Sequence, residues 1–99
     1  MTYDNRFSRL ALHDLEEIWL YTFQNWSADQ ADRYFNDIQE EVERICQNPH
    51  LGRSISDIKP GHRMHPVGSH LIVYKIHQST ILVDRILHKH MDIGNRLDG

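Results

Sequence analysis

HLIVYKIHQSTILVDRILHKHMD, residues 70 to 92, is the stretch that decides the fold. From His70 to His77 the apolar side chains Leu71, Ile72, Val73, Tyr74 and Ile76 are almost continuous. After Gln78-Ser79-Thr80 a second run passes through Ile81, Leu82, Val83, Ile86 and Leu87. Side chains alternate between faces along a strand, so a run that is apolar at successive positions suits a strand covered on both sides. Two such runs joined by a short polar turn predict a β-hairpin. The chain leaves that hairpin through a basic group, His88-Lys89-His90.

Upstream, alternation runs from Arg63 to Val67, with Arg63, His65 and Val67 on one face and His62 and Met64 on the other. Pro66 cannot donate to a central ladder, which predicts an outer or bulged strand. Residues 48 to 62, NPHLGRSISDIKPGH, combine prolines, glycines and short polar side chains and read as an ordered loop. Before it lie two amphipathic helices. In the first, Ser8 is a ready N-cap, and Ala11, Leu15, Ile18, Thr22 and Trp26 form a row at helical spacing, widened by Leu12, Trp19 and Phe23. These aromatic residues read as core. The second opens on Ser27 and Gln30, a capping box, and carries Ala31, Tyr34, Phe35, Ile38, Val42 and Ile45 on one stripe before Asn48-Pro49 ends it.

With little more than Trp26-Ser27 between them, these helices must fold back as an antiparallel pair. Tyr3, Asn5 and Phe7 alternate in a short first strand, and a short last helix is expected near residues 91 to 97. The expected fold is α+β: a two-helix hairpin on one face of a small, mostly antiparallel sheet, in the order β-α-α-β-β-β with a C-terminal helix.

Composition limits the functions open to such a chain. Ninety-nine residues, 39% hydrophobic and 25% charged, make one domain, 1–99, that buries roughly two-thirds of its unfolded surface. There is no apolar run approaching the ~20 residues of a membrane span, and MTYDNRFSRL lacks the apolar core of a signal peptide, so a soluble, cytoplasmic chain with no membrane partner is expected. The single cysteine, Cys46, falls on an apolar helix position and reads as a core thiol. The net charge of -3 conceals an asymmetry. Residues 1 to 50 hold ten acidic and four basic side chains; residues 51 to 99 hold four acidic, seven basic and six of the eight histidines. One face is expected to be acidic, the other basic and titratable near neutral pH.

The basic half supplies the candidate binding residues: Arg63, Arg85, His88, Lys89, His90 and Arg96. Arg85 shares its expected strand face with Ile81, Val83 and Leu87, and is equally suited to pairing with a neighbouring carboxylate or meeting a partner. His70 and His88 flank the hairpin and can satisfy backbone groups. His62-x-x-His65 and His88-x-His90 are each incomplete as zinc sites, with no cysteine or acid at ligand spacing, so neither metal nor cofactor is expected.

Ordered motifs across the chain resemble the ParE/RelE toxin superfamily, the ParE branch in particular. The first helix has A-x-x-DL-x-x-I-x-x-Y in Ala11, Asp14, Leu15, Ile18 and Tyr21; the second opens with W-S-x-x-QA-x-x-Y in Trp26, Ser27, Gln30, Ala31 and Tyr34. A P-x-x-G turn follows at Pro49 and Gly52, then G-x-R at Gly61 and Arg63, and RILHxxMD at Arg85 to His88, Met91 and Asp92. The resemblance implies a toxin of a type II toxin-antitoxin, plasmid-stabilisation kind of system. It would form a hetero-oligomer with a cognate, ParD-like antitoxin, act on DNA gyrase as a protein inhibitor, and bind no specific DNA by itself.

The RelE branch instead cleaves messenger RNA on the ribosome. Metal-independent RNA cleavage needs a base, an acid and a cation over the phosphate. Arg63 and Arg85 with His62, His65, His88 or His90 are the residue types required. Yet RelE-like nucleases resemble one another in a lysine- and arginine-rich middle and a C-terminal tyrosine, whereas this chain has only Lys59, Lys75 and Lys89 and no tyrosine beyond Tyr74. Its negative net charge also suits a polyanionic partner poorly. The nuclease and a non-toxic antitoxin-binding module are the alternatives.

Overall fold

The computed structural model describes residues 2–91 and 93–97; Asp92, the last residue of the RILHxxMD motif, lies outside the described residues. In chain order the elements are β1 (Asp4–Phe7), α1 (Arg9–Asn25), α2 (Ala28–Gln47), β2 (Arg53–Ser54), β3 (His62–Val67), β4 (His70–His77), β5 (Thr80–His88) and α3 (Ile93–Leu97). The strands form one sheet in the order β1-β5-β4-β3-β2. β1 runs parallel to β5, and the other three pairs are antiparallel.

Local chemistry explains the helix starts. The Ser8 hydroxyl accepts the N–H of Ala11 at 3.0 Å, capping α1, and donates to the carbonyl of Asp84 at 2.6 Å, so the cap also fastens the helix to β5. Ser27 accepts the N–H of Gln30 at 3.1 Å and caps α2. The stripe expected on α2 is buried or half-buried throughout, from Ala31 to Ile45.

α1 and α2 lie on one face of the sheet, where Ala11, Leu15, Ile38, Val42 and Ile45 meet Ile72, Tyr74, Ile81, Val83 and Ile86. Burying each of these larger apolar side chains contributes ~1.5–3 kcal/mol, the main term holding the layers together. The opposite face carries a second cluster, Met64, Val73 and Leu87, closed by Ile55 from the loop and Leu97 from α3. The continuous apolar runs of β4 and β5 thus have cover on both sides.

Three details differ from expectation. β3 is not the edge strand: the two-residue β2, hidden in the loop, pairs with Arg63 and Met64. Pro66 lies beyond its reach, where the outer flank of β3 has no strand neighbour, so the physical constraint on proline is still met. The bulge sits in β5 instead. Val73 faces Arg85 and Tyr74 faces Val83, leaving Asp84 as the extra residue. The bulge breaks the alternation, so Val83 and Ile86 face the helices while Leu87 joins the opposite cluster, and the single face expected for Ile81, Val83, Arg85 and Leu87 does not form. Lastly, the aromatic row of α1 is not all core. Trp26 is 74% exposed, Leu12 54% and Phe23 47%. Trp26 lies past the end of α1, in a non-helical cap, and Leu12 and Phe23 point away from the sheet.

Candidate partner-binding surface

The turn that carries the P-x-x-G motif is held by side chains rather than by a ladder. Tyr74, fully buried on β4, donates its hydroxyl to the carbonyl of Pro49 and accepts the N–H of Gly52, both at 2.8 Å. A Cβ on Gly52 would fall 2.8 Å from the Tyr74 ring, so only glycine allows this approach. Arg63 completes the arrangement by donating Nη1 to the carbonyl of Gly52 at 2.6 Å. Burial pushes the Tyr74 phenol up, against the N–H from Gly52 and the positive charge of Arg63.

A second clamp lies at the β3–β4 turn. The Tyr34 hydroxyl touches the carbonyl of Val67 at 3.1 Å, the N–H of Ser69 at 3.0 Å and Nδ1 of His70 at 2.6 Å. Gly68, with φ +54°, passes so close to the Tyr34 ring that a Cβ would sit 2.6 Å from it. Burial holds the His70 imidazole down at about 4, helped by the neighbouring His88 and opposed by Asp14. His70 is therefore neutral at neutral pH.

Arg85 is bound within the fold. Its Nε and Nη2 reach the two carboxylate oxygens of Asp14 on α1 at 2.8 and 3.0 Å, and the same carboxylate accepts the N–H of Ile86 at 2.9 Å. Hydrogen bonding to Asp14 raises the guanidinium pKa still further. Of the remaining candidates, His88 is half-buried, its ring centroid 5.2 Å from His70 and 5.1 Å from His90, and its Nδ1 accepts the N–H of His90 at 3.1 Å. Lys89 and His90 follow it, exposed; Arg96 is exposed on α3. The structure therefore gathers His88, Lys89 and His90 where β5 ends, and sends Arg63 and Arg85 to separate fixed positions.

His62 and His65 are engaged too. His65 meets Glu41 at 2.7 Å, joining β3 to α2, and hydrogen bonds from His65 and Arg44 draw the Glu41 carboxyl down against its burial. His62 faces the carbonyl of Pro60 at 3.0 Å and stands 3.6 Å from the carboxylate of Asp84, which pairs with Lys59 at 2.8 Å. Among the described residues no cluster of three or more potential ligands is placed to hold a metal ion.

Two apolar depressions were not anticipated. One, about 700 Å³, lies under the C-terminal half of α1, with Tyr21, Trp26 and Met91 as walls and Tyr34, His70 and His88 at its base. The other, about 340 Å³, is a valley between α1 and α2, lined by Phe7, Leu12, Leu15, Trp19 and Phe35 with Glu16 and Gln39. The aromatic surplus of α1 was the available signal: more apolar residues than one helix face can bury. Among the described residues no helix is long and apolar enough to cross a membrane.

Comparison with known proteins agrees with this architecture. The family model described as "ParE toxin of type II toxin-antitoxin system, parDE" matches residues 6–93. The chain is 40% identical over 84 residues to Toxin ParE1 of Mycobacterium tuberculosis, covering 84% of this chain and 86% of the relative. It is 33% identical over 87 residues to Toxin ParE1 of Caulobacter vibrioides, covering 88% and 90%. Among solved structures, a chain of the chromosomal ParDE system of P. aeruginosa superposes with a TM-score of 0.76 at 20% identity, over 88% of this chain and 96% of that one. A chain of the RelBE2 complex of M. tuberculosis superposes with a TM-score of 0.70 at 18% identity, over 90% and 100%. Both structural likenesses concern the fold alone. The family match spans the helix hairpin, nearly all of the sheet and both clamps, the two sequence relatives cover 84% and 88% of the chain, and the chain belongs to the ParE toxin family of type II toxin-antitoxin systems.

Proposed function

We propose that this chain, as a single domain over residues 1–99, acts in the cytoplasm as a protein inhibitor of DNA gyrase and is neutralised by a cognate, ParD-like antitoxin in a hetero-oligomer. Membership of the ParE family supports the reading, and one structural observation favours it over RNA cleavage. Both arginines and two of the four histidines a metal-independent nuclease would use are committed elsewhere, Arg85 to Asp14, Arg63 to the carbonyl of Gly52, His65 to Glu41, and His62 between Pro60 and Asp84, while His88 and His90 stand where β5 ends. Phosphodiester chemistry requires a cation and a proton donor in a common cleft, and neither Arg63 nor Arg85 lines the two apolar depressions described above. The exposed cations Lys89 and Arg96, with the exposed His90, suit a protein surface instead.

The test is direct. Purified chain added to gyrase is expected to block supercoiling and accumulate cleaved DNA, and the product of the adjacent reading frame to restore activity. Messenger RNA cleavage on ribosomes with supercoiling untouched would instead assign the chain to the nuclease branch.

A further inference from the structure

The sheet has two edges, and the chain guards them differently. At one, β2 is only two residues long and Pro66 removes a donor from the outer flank of β3, both devices that keep a strand edge from recruiting another. At the other edge stands β1, Asp4–Phe7, which has neither proline nor glycine and, among the described residues, no strand on its outer side. Asp4 and Ser8 donate their N–H groups inward, to the carbonyls of Ser79 and Val83 at 3.0 and 2.9 Å. Alternation along the strand turns the backbone groups of Arg6 inward as well, and those of Asn5 and Phe7 to the open edge. Tyr3, just before β1, gives its N–H to the carbonyl of Cys46 at the end of α2 at 2.9 Å, so the open stretch begins at Asp4.

The side chains along this edge are self-complementary. Asn5 reaches Sγ of Cys46 on the helix side at 3.8 Å, which leaves Asp4 and Arg6 exposed together on the opposite face. Neither belongs to an ion pair among the described residues. Across a two-fold axis through Asn5, an antiparallel second copy would set Asp4 directly opposite Arg6, twice over. A shift of two residues either way, the next registers that keep outward backbone groups facing, sets Asp4 against Asp4 or Arg6 against Arg6. Like charges directly opposite are unfavourable, so charge selects one register.

We propose that two copies of the chain associate through their β1 edges, antiparallel and centred on Asn5, joining their sheets into one of ten strands, five from each copy. The Asn5 N–H of each copy donates to the Asn5 carbonyl of the other, and two Asp4–Arg6 pairs flank this centre. So short a contact makes a weak, concentration-dependent dimer. The proposal is independent of the toxin-antitoxin reading.

The experiment is sedimentation of the full chain alone over a concentration series, beside the variants D4R, R6D and D4R/R6D, with circular dichroism to show that each is folded. The parent mass is expected to rise from 11.8 kDa toward twice that value, less so in high salt. Each single reversal is expected to weaken association at least about tenfold, and the double exchange, which restores opposite charges across the axis, to recover it. The Asn5 amide should gain protection from hydrogen exchange as the dimer forms, while the Asp4 amide, already bonded within the chain, should not change. A parent that stays monomeric up to about 1 mM, single variants that associate like the parent, or a double exchange that fails to recover would each overturn the proposal. So would an Asn5 amide protected only when the product of the adjacent reading frame is added, which would give the edge to that protein.

Discussion

Asp14 on α1 and Arg85 on β5 face one another through two parallel hydrogen bonds, 71 residues apart in sequence and both largely shielded from water. Because the same carboxylate also takes the N–H of Ile86 just past the bulge, one acidic side chain fixes the helix, the arginine and the strand together. Removing one partner of such a pair strands the other charge in a poorly solvated place.

Asp14→Ala and Arg85→Ala are each expected to cost about 2–4 kcal/mol, discounted for partial exposure from the value of a fully buried pair. Asp14→Leu combined with Arg85→Met is expected to recover most of the loss. Urea denaturation of the two single variants and the double variant measures the coupling.

Acid should weaken the fold in two steps. His70 takes up a proton near 6.5 when unfolded but only near 4 in the fold, so the unfolded chain is stabilised as pH falls between those values. Its contribution is complete above about 6.5 and lost on the way down to 4. Glu41, whose carboxyl is depressed, adds a loss only as pH drops below its ordinary value of 4.5. Urea midpoints against pH should decline over the first window in the parent, and His70→Gln should flatten that window alone.

Adding a methyl group to Gly68 should be severe for two reasons, the left-handed backbone at φ +54° and the Tyr34 ring 2.6 Å away. Gly68→Ala is expected to destabilise by more than ~2 kcal/mol. Gln78, at φ +54° in the β4–β5 turn, is the reverse case, and Gln78→Gly should stabilise by up to ~1 kcal/mol. Thermal melts of both variants check the pair, and a neutral Gly68→Ala would contradict the packing described for Tyr34.

For toxicity, reversing charge at Lys89 and Arg96 is expected to reduce growth arrest more than substituting Glu16, Glu40 and Glu43, in cells lacking the antitoxin. The folded content of each variant, read by circular dichroism, should match the parent. Truncation from Met91 is a poorer test, because Leu97 closes the second apolar cluster and its loss exposes Met64, Val73 and Leu87. Full toxicity in the folded double reversal would remove Lys89 and Arg96 from the working surface.

How much of this was legible in sequence depended on the range of the interaction. The α2 stripe, the Ser8 and Ser27 caps and the β4–β5 runs follow from local periodicity and capping chemistry, and they stand in the structure where they were expected. The bulge at Asp84 was not legible. It depends on register between strands and on Ser8 and Asp14, far away in sequence, holding the displaced backbone. Pairings such as Arg63 with the Gly52 carbonyl and Tyr34 with His70 also escaped, because residue type says that a group needs a partner but not which one. The exposed Trp26 and Phe23 defeated the pattern for another reason: helical spacing identifies an apolar face without saying whether this chain or another covers it.

The parallel pairing of β1 with β5 sets Asp4 beside Thr80, so among the described residues the first strand closes against the last. Contacts so distant in sequence form late and slowly, and β5 also supplies the partner for β4 and for α1. During synthesis, the segments made earlier can form a helix pair and a strand, but not the finished sheet. A growing chain therefore lacks the finished sheet until β5 has been translated, and a message cut upstream of the β5 codons yields a product without this architecture.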